Sequence, residues 1–555
     1  MFRKRTLTER FWEVLPGLQF WSAFLGAIAL AKYQPVWAAL FIICFDLYWV
    51  LKACNVGLHL LSSYRKFRVH VTIDWLSEVR AITTDVTSYI AKLAQQAETD
   101  TRVVARHYFA HEVERLQKLL ASGKTIRSYE DIVHLVLFPF VDESVEVLSS
   151  TLDAMLAVNY PKEKIFIILA SEGRMGEPAQ ETARILREKY AKHFGNFFVT
   201  VHPDGLEGEI KGKSANASWA VQAVMPELER LGIAVPDCMV SNFDSDTVVH
   251  PQYFARVTYE FLTAEKPYRS SYQPIAIYNN NIWDAPAFIR VISVSNSFWQ
   301  FTESSRPDRL RTFSSHSMTL QALVEVGFWK KDLVNEDGFI FWQCYLHYEG
   351  DYSVVPLFIP ISLDTCLAET TWQTFKNQYL QKRRWAYNVE YYPHLIWPLI
   401  RSKAPFWDKF LKLYQYVEGN FNWATASVLI STLGLLPLFL GGPEFLDSVV
   451  AYNLPHVTQT LLRVSLVFIS ASVYVNLVLL PPRPAKYGRF RSVMMYLQWL
   501  LVPFVSLIFG SIPAIEAHTR LMLGKYLEFW VTPKVRKGES TGLTMKEMQK
   551  VGENK

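Results

Sequence analysis

Four short stretches carry residues whose types and spacing could do chemistry. The first is Asp244-Ser245-Asp246, which ends an apolar run beginning at Cys238. On an extended chain the two carboxylates point the same way, and they repel unless a cation sits between them. Such a pair is either a turn of solvated acids or a site for a hard cation, with waters and phosphate oxygens filling the remaining positions. A cation there would neutralise a diphosphate leaving group. The second stretch, His202–Ala220, is a Gly-rich loop opening a helix, with Lys211 and Lys213 flanking Gly212. It is a solvated loop or an anion site at a helix start, and its glycine spacing is too short for a Walker motif. The third, Glu336-Asp337, opens another helix, as a cap or as a general base for a hydroxyl. In the fourth, Gln381, Arg384 and Trp385 fall on nearly one side of a helix. Arg can grip phosphate and Trp can stack on a sugar, or the two can anchor the chain at a membrane surface. His107 and His111 have the four-residue spacing of helical metal ligands, with no third ligand in view. A helix with solvated histidines reads the same way.

These residues need a scaffold. From Asp131 onward, strand-like and helix-like patterns alternate with short connections, through "DIVHLVLFPF", "SVEVLSSTLDAML", "KIFIILASE", "PAQETARILREKYAKHF" and "NFFVTVH". That alternation predicts a mostly parallel α/β sheet, in which ligands bind beyond the carboxyl ends of the strands. Asp142-Glu143, Ser171-Glu172 and Asp244-Ser245-Asp246 all fall at such ends. Residues 65–130 are helical in pattern, with no role legible in them.

The 555 residues are 50% hydrophobic and 20% charged, a mixture that suits a catalytic domain joined to membrane helices. A net charge of +5 with its basic residues beside apolar runs argues against a nucleic-acid partner. Five cysteines at irregular spacing suggest neither a disulfide framework nor a zinc knuckle, and fit a reducing compartment. Val14–Ala31, Tyr33–Leu51, Trp423–Leu440, Val464–Leu480 and Ser492–Ile515 are apolar and about long enough to span a bilayer. The basic segments "MFRKR", "YRKFR" and "RPAKYGRFR" place both ends of the first hairpin, and the middle of the chain, on the cytoplasmic side. Pro503, Gly510 and Pro513 interrupt the last apolar stretch, and a broken or re-entrant element there would return the tail to that side.

Taken in order, the strand-end acids, Gly-Lys loop, Asp-x-Asp, Glu-Asp, Gln-x-x-Arg-Trp and membrane helices resemble the membrane-embedded family 2 glycosyltransferases. These are the cellulose synthase, hyaluronan synthase and ceramide glucosyltransferase kind. The resemblance covers residues 131–400 strongly and the flanking membrane layout loosely. It implies an α/β GT-A catalytic domain, Rossmann-like with a mostly parallel sheet, inserted between α-helical transmembrane segments. The implied layout is a transmembrane hairpin (1–64), the helical region (65–130), the GT-A domain (131–400), interfacial and transmembrane helices (401–530) and a basic cytoplasmic tail (531–555).

The same resemblance implies an inverting hexosyltransferase of the plasma membrane, its catalytic domain on the cytoplasmic side. It would move a sugar from a nucleoside diphosphate, a UDP-sugar, to a hydroxyl on a growing polysaccharide. Transfer to a lipid is the alternative. By position, Asp142, Glu143, Glu172, Lys213 and Asp244 would bind the donor nucleotide. Asp244 and Asp246 would hold Mg²⁺ or Mn²⁺. Asp337 would be the general base, with Glu336 beside it. Gln381, Arg384 and Trp385 would meet the acceptor and the diphosphate. "EFWVTPK" resembles the F-x-V-T-x-K gating loop of cellulose synthases, which makes Phe529, Val531, Thr532 and Lys534 the residues that close over the nucleotide. The chain departs from the family in having Asp142 for Asn, Glu172 for Asp and Asn335 for Thr, and in having no membrane helix after the gating segment.

Overall fold

The computed structural model describes residues 5–432, 434 and 436–532. Its centre is an eight-stranded sheet: β1 (Val133–Pro139), β2 (Ile165–Glu172), β3 (Asn196–His202), β4 (Cys238–Asn242), β5 (Val248–Val249), β6 (Ser270–Tyr278), β7 (His316–Thr319) and β8 (Ser353–Leu363). The strand order is β3-β2-β1-β4-β7-β6-β8-β5. β1 pairs in parallel with β2 and β4, and β2 with β3. β7 runs antiparallel between β4 and β6. β8 is parallel to β6 and antiparallel to the two-residue β5. This is a mixed α/β fold, the class expected from the alternating pattern. The parallel half is as expected, and the second half is mixed.

Every residue of β1 is buried, as befits an inner strand covered on both faces. Alternation sends its side chains to two cores. Leu135 and Leu137 join one core with Ala217, Val221 and Val224, while Val136 and Phe138 join the other with Leu148 and Leu152. The helices of the chain's first three-quarters are α1 (Leu7–Tyr33), α2 (Pro35–His70), α3 (Trp75–Thr84), α4 (Val86–Thr99), α5 (Val103–Ala121), α6 (Val145–Leu156), α7 (Gly176–Tyr190), α8 (Lys213–Arg230), α9 (Tyr253–Thr263), α10 (Ala287–Ser304), α11 (Leu320–Glu325), α12 (Glu336–His347), α13 (Thr371–Ala386), α14 (Tyr392–Arg401) and α15 (Phe406–Thr432). α8 and α12 cover the first core, and α6, α7 and α9 the second. The α3–α5 region joins the second core. Arg115 of α5 pairs there with Glu260 of α9 at 3.2 Å, and the Arg256 guanidinium stacks 3.9 Å from the Trp75 ring.

Among the described residues three helices are long and apolar enough to cross a membrane: Leu7–Tyr33, Pro35–His70 and Arg489–Met522. They support an integral membrane protein. α2 is shared along its length. Ala39 and Ile42 pack with Phe445, Ala451 and Leu454, whereas Leu60, Tyr64 and Phe67 pack with Ile275, Phe298 and Phe301 of the sheet domain. The apolar stretch Trp423–Leu440 is divided between α15 and a short helix, Leu436–Leu440, and Val464–Leu480 lies almost wholly in a helix, Val449–Leu479.

The stretch expected to break or re-enter at 492–515 is helical with two irregular turns. Helical turns run from Arg489 to Met522, with a 3₁₀ turn at Gln498–Leu501 and a π turn at Ser506–Ser511 absorbing the prolines. Near its start, Arg491 Nη2 donates to the carbonyls of Trp283 (2.7 Å) and Ala285 (3.1 Å). Its middle lays Phe509 against Phe288 and Phe375. Towards its end, Glu516 accepts from Tyr379 (2.8 Å) and Arg383 (2.6 Å) of α13. About 50 Å of helix is thus tied to α10 and α13 along its length. It also packs on α1 and α15, with Trp21 Nε1 donating to Thr519 Oγ1 at 3.0 Å and Ser511 Oγ to the Trp423 carbonyl at 3.1 Å.

Candidate active site

The parallel strands set the site. β4 ends at Asn242, and Phe243 N still donates to the Leu137 carbonyl of β1. The next residues, Asp244-Ser245-Asp246, therefore leave the sheet at its carboxyl edge. β5 then pairs with Ile361 and Ser362 of β8, which folds the two halves of the sheet together behind the acids. Ser245 Oγ donates to Glu143 Oε1 at 2.7 Å, joining the edges of β1 and β4. Asp142, one residue earlier, is exposed.

α8 begins at Lys213, and Lys213 Nζ lies 2.7 Å from Asp244 Oδ1. Ser314 donates to the other oxygen, Asp244 Oδ2. Ser315 Oγ accepts from Asp244 N and bonds Thr247 Oγ1 at 3.0 Å. It is held with φ at +63°, a left-handed conformation costly for a non-glycine residue. Asp246 is buried, and its Oδ2 accepts the backbone N–H of Asp364 at 2.9 Å. Asn280 bridges the Asp246 carbonyl (3.2 Å) and Asp364 Oδ1 (2.8 Å).

Glu336 and Asp337 open α12, facing Lys213 and Asp244. Burial raises the Asp337 pKa; Lys213 and Arg384 pull it down and Asp244 pushes it up, and the balance stays above the usual aspartate value. Glu336 is raised too, by burial and then by the Asp337 charge. Glu336 Oε1 is buried without a hydrogen-bond partner among the described residues, an orphan acceptor aimed into the site. Burial would lower the Lys213 ammonium, but Asp244, Glu336 and Asp337 outweigh it and hold its pKa above normal. Two cations, Lys213 and Arg384, thus face the carboxyl groups of Glu336 and Asp337.

α13 supplies Gln381, Arg384 and Trp385. Gln381 Nε2 donates to Thr532 Oγ1 at 3.2 Å, and the Arg384 guanidinium lies 4.8 Å from the centre of the Phe529 ring. The gating-like segment therefore crosses α13. It also reaches the Gly-Lys loop: a Cβ on Gly212 would stand 2.8 Å from Phe529 Cγ. Gly212 has extended backbone, so its lack of a side chain serves close approach and not a special φ. Gly212→Ala should push Phe529 off Arg384 at a cost of about 1–3 kcal/mol. The expected result is a turnover loss of about tenfold with unchanged thermal unfolding; wild-type turnover would show that the contact is idle. Val531 is part of the same segment, and Lys534 lies outside the described residues. Trp385 faces Tyr278 with ring centres 6.3 Å apart. Lys382, 5.0 Å from the Trp385 ring and bonded to Asn296 Oδ1 at 2.6 Å, is drawn down by burial to about 7.

Glu172 ends β2 and is buried, its Oε2 paired with Arg174 and its Oε1 without a partner among the described residues. Lys211 pairs with Asp204 at the surface and does not enter the site. His107 bonds the Val103 carbonyl of its own helix. Among the described residues no three His, Cys, Asp or Glu side chains form a metal-holding group. Sequence reasoning missed Ser314, Ser315, Asn280, Asp364, Tyr278 and Glu390. Only Asn280 carried a local signal, in the triplet Asn279-Asn280-Asn281 that follows β6.

Residues 240–445 match the family described as Glycosyl transferase family group 2, a span that takes in Asp244, Asp246, Glu336, Asp337, Gln381, Arg384 and Trp385. Residues 240–445 thus form a family 2 glycosyltransferase domain, which supports glycosyltransferase activity. No curated protein matches it by sequence. Among solved structures it is similar to the mannosyltransferase PcManGT from Pyrobaculum calidifontis in complex with GDP-Man and Mn²⁺, at 13% identity and TM-score 0.38, over 70% of this chain and 99% of that one. It is also similar to S. aureus TarS 1–349, at 12% identity and TM-score 0.33, over 71% and 93%. A third is GalNAc-T7 with UDP, GalNAc and Mn²⁺, at 11% identity and TM-score 0.32, over 52% and 58%.

Proposed function

We propose that the protein transfers a sugar from a UDP-sugar to a hydroxyl on a growing polysaccharide at the plasma membrane, inverting the anomeric centre. The carrying observation is the meeting of Lys213, Asp244 and Asp337 at one strand edge, with Lys213 Nζ 2.7 Å from Asp244. The acceptor oxygen bonds to the anomeric carbon as the bond from that carbon to the diphosphate breaks. Asp337 takes the hydroxyl proton. Lys213 and Arg384 stabilise the charge that develops on the departing diphosphate. Asp142, Glu143 and Glu172 line the nucleotide, Glu336 supports the base, and Gln381 and Trp385 place the acceptor. Phe529, Val531, Thr532 and Lys534 close over the donor.

The donor chemistry suits Mg²⁺ or Mn²⁺. Such ions take one or two carboxylates and complete their shell with substrate phosphates, so Asp244 and Asp246 suffice without a third protein ligand. When bound, the ion would neutralise the diphosphate. Basic segments next to the membrane helices put the catalytic domain on the cytoplasmic side.

One observation favours transfer to a lipid instead. An open groove of about 390 Å³ lies between α1 and the helix ending at Met522, lined by Trp21, Ile512, Ile515 and Leu523, with Arg520 and Lys525 near Glu516. Glu516 is held by α13, so an apolar chain in this groove would lie next to the acceptor helix. Purified protein in lipid, incubated with Mn²⁺ and a panel of radiolabelled nucleotide sugars, tests the proposal. A UDP-sugar giving a high-mass polymer is the expected result. A labelled lipid would select the second reading, and no turnover of any donor would overturn both.

A further inference from the structure

α12 brings Glu336 and Asp337 into the site, yet its entry is not held by the helix itself. The N-cap residue, Asn335, makes no side-chain cap bond to α12. Its Nδ2 donates to the Arg384 carbonyl at the end of α13 (2.9 Å). The Glu390 carboxyl stands behind the same turn, and its Oε1 accepts the backbone N–H groups of Val334 (2.9 Å) and Asn335 (3.0 Å). Tyr391 donates its hydroxyl to the Asn335 carbonyl. Three residues of the segment 384–391, Arg384, Glu390 and Tyr391, therefore grip the two residues immediately before the Glu-Asp pair.

We propose that Glu390 is a positioning residue that fixes the catalytic base against the acceptor helix, so that Asp337 and the Arg384–Trp385 face move as one unit. The carboxyl is buried in the first core and faces Asp332, Tyr387, Arg5, Glu13 and Tyr526 around a small cavity. Burial pushes it up to about 8 although the two peptide N–H groups and the Asn335 amide favour its ionised form. A buried carboxyl is costly, and this one sits where its hydrogen bonds orient the entry of α12. The same stretch of chain reads the gating-like segment, since Arg384 carries Phe529 and Gln381 carries Thr532. Glu390 would therefore carry the closing of that segment to the base. It touches no reacting atom and acts through Asn335.

The inference rests on Asp337 as base, and wild-type turnover of a nucleotide sugar checks that reading separately. The test compares Glu390→Ala, Glu390→Gln and Asn335→Ala in full-length protein in lipid. Release of nucleoside diphosphate gives kcat and KM, Mn²⁺-dependent UDP binding reports on the donor site, and thermal unfolding reports on the fold. Glu390→Ala should lower kcat about 10- to 100-fold, the scale of a misplaced catalytic group, with KM and UDP affinity within about threefold. Glu390→Gln keeps a neutral carbonyl acceptor for both N–H groups and should restore kcat to within about threefold of wild type. Asn335→Ala should lower kcat with UDP affinity unchanged, and it decides the matter if Glu390→Ala does not fold. Wild-type kcat in both alanine variants would overturn the proposal. So would a Gln variant no better than Ala, with UDP affinity and unfolding temperature lost together.

Discussion

Asp337→Asn should lower kcat by about 10³, near the middle of the range for removing a positioned general base, while UDP still binds in the presence of Mn²⁺. Asn preserves the shape and the acceptor oxygen that receives the Gly338 N–H at 2.9 Å, so the start of α12 should keep its geometry. What it removes is a carboxylate at the start of α12 that faces Lys213, Asp244 and Arg384. Burial holds the Asp337 proton more tightly than usual. The base is competent only when ionised, so wild-type kcat should rise with pH through a limb lying above the ordinary aspartate value of about 4. That limb should vanish in the residual activity of Asp337→Asn. Full transfer by the variant would assign the base elsewhere, and a limb at or below pH 4 would remove the argument from burial.

Asp246→Asn should be nearly as damaging, by about 10²–10³ in kcat, but for a different reason and with a different signature. Asp246 is buried, and its Oδ2 receives the Asp364 N–H, a bond an asparagine carbonyl can also accept. The fold of the β4–β5 turn should therefore survive, and the lost charge is what the measurement reads. With one carboxylate fewer, Mn²⁺-dependent binding of UDP should weaken and more Mn²⁺ should be needed for half-maximal turnover. Asp337→Asn should leave both quantities where they were. If Asp246→Asn left the Mn²⁺ requirement and UDP binding unchanged, the pair Asp244/Asp246 would not be the metal clamp. The contrast between the variants separates holding the donor from moving the proton.

Much of this arrangement was legible in the chain because it follows local rules. Strands buried on both faces read as apolar runs, and the residues after a parallel strand must emerge at one edge of the sheet. Hence Asp142-Glu143, Ser171-Glu172 and Asp244-Ser245-Asp246 could be grouped before their contacts were known, and Lys213 and Glu336 could be placed at helix starts. The path of 489–522 was not legible in the same way. Prolines and a glycine suggested a break, but 3₁₀ and π turns let helical geometry continue, and Arg491, Phe509 and Glu516 hold the stretch to α10 and α13.

The sequence alone marked the residues we propose to carry the chemistry: the carboxylate pair at 244 and 246, Lys213, the acids at 336 and 337, and the Gln381–Arg384–Trp385 face. Their types and spacing are local facts, readable wherever a strand or helix has a regular period. Tertiary structure decided what holds them. Ser314 and Ser315 fasten Asp244 from 70 residues away, Asp364 backs Asp246 from 118 away, and Glu390 sets the entry to α12. These partners are single polar residues with no periodic signature, placed by the pairing of β5 with β8 and by the contacts of residues 384–391 with the entry to α12. A hydrogen bond needs an ångström-scale meeting of two groups, and for residues far apart in the chain only the completed fold specifies that meeting.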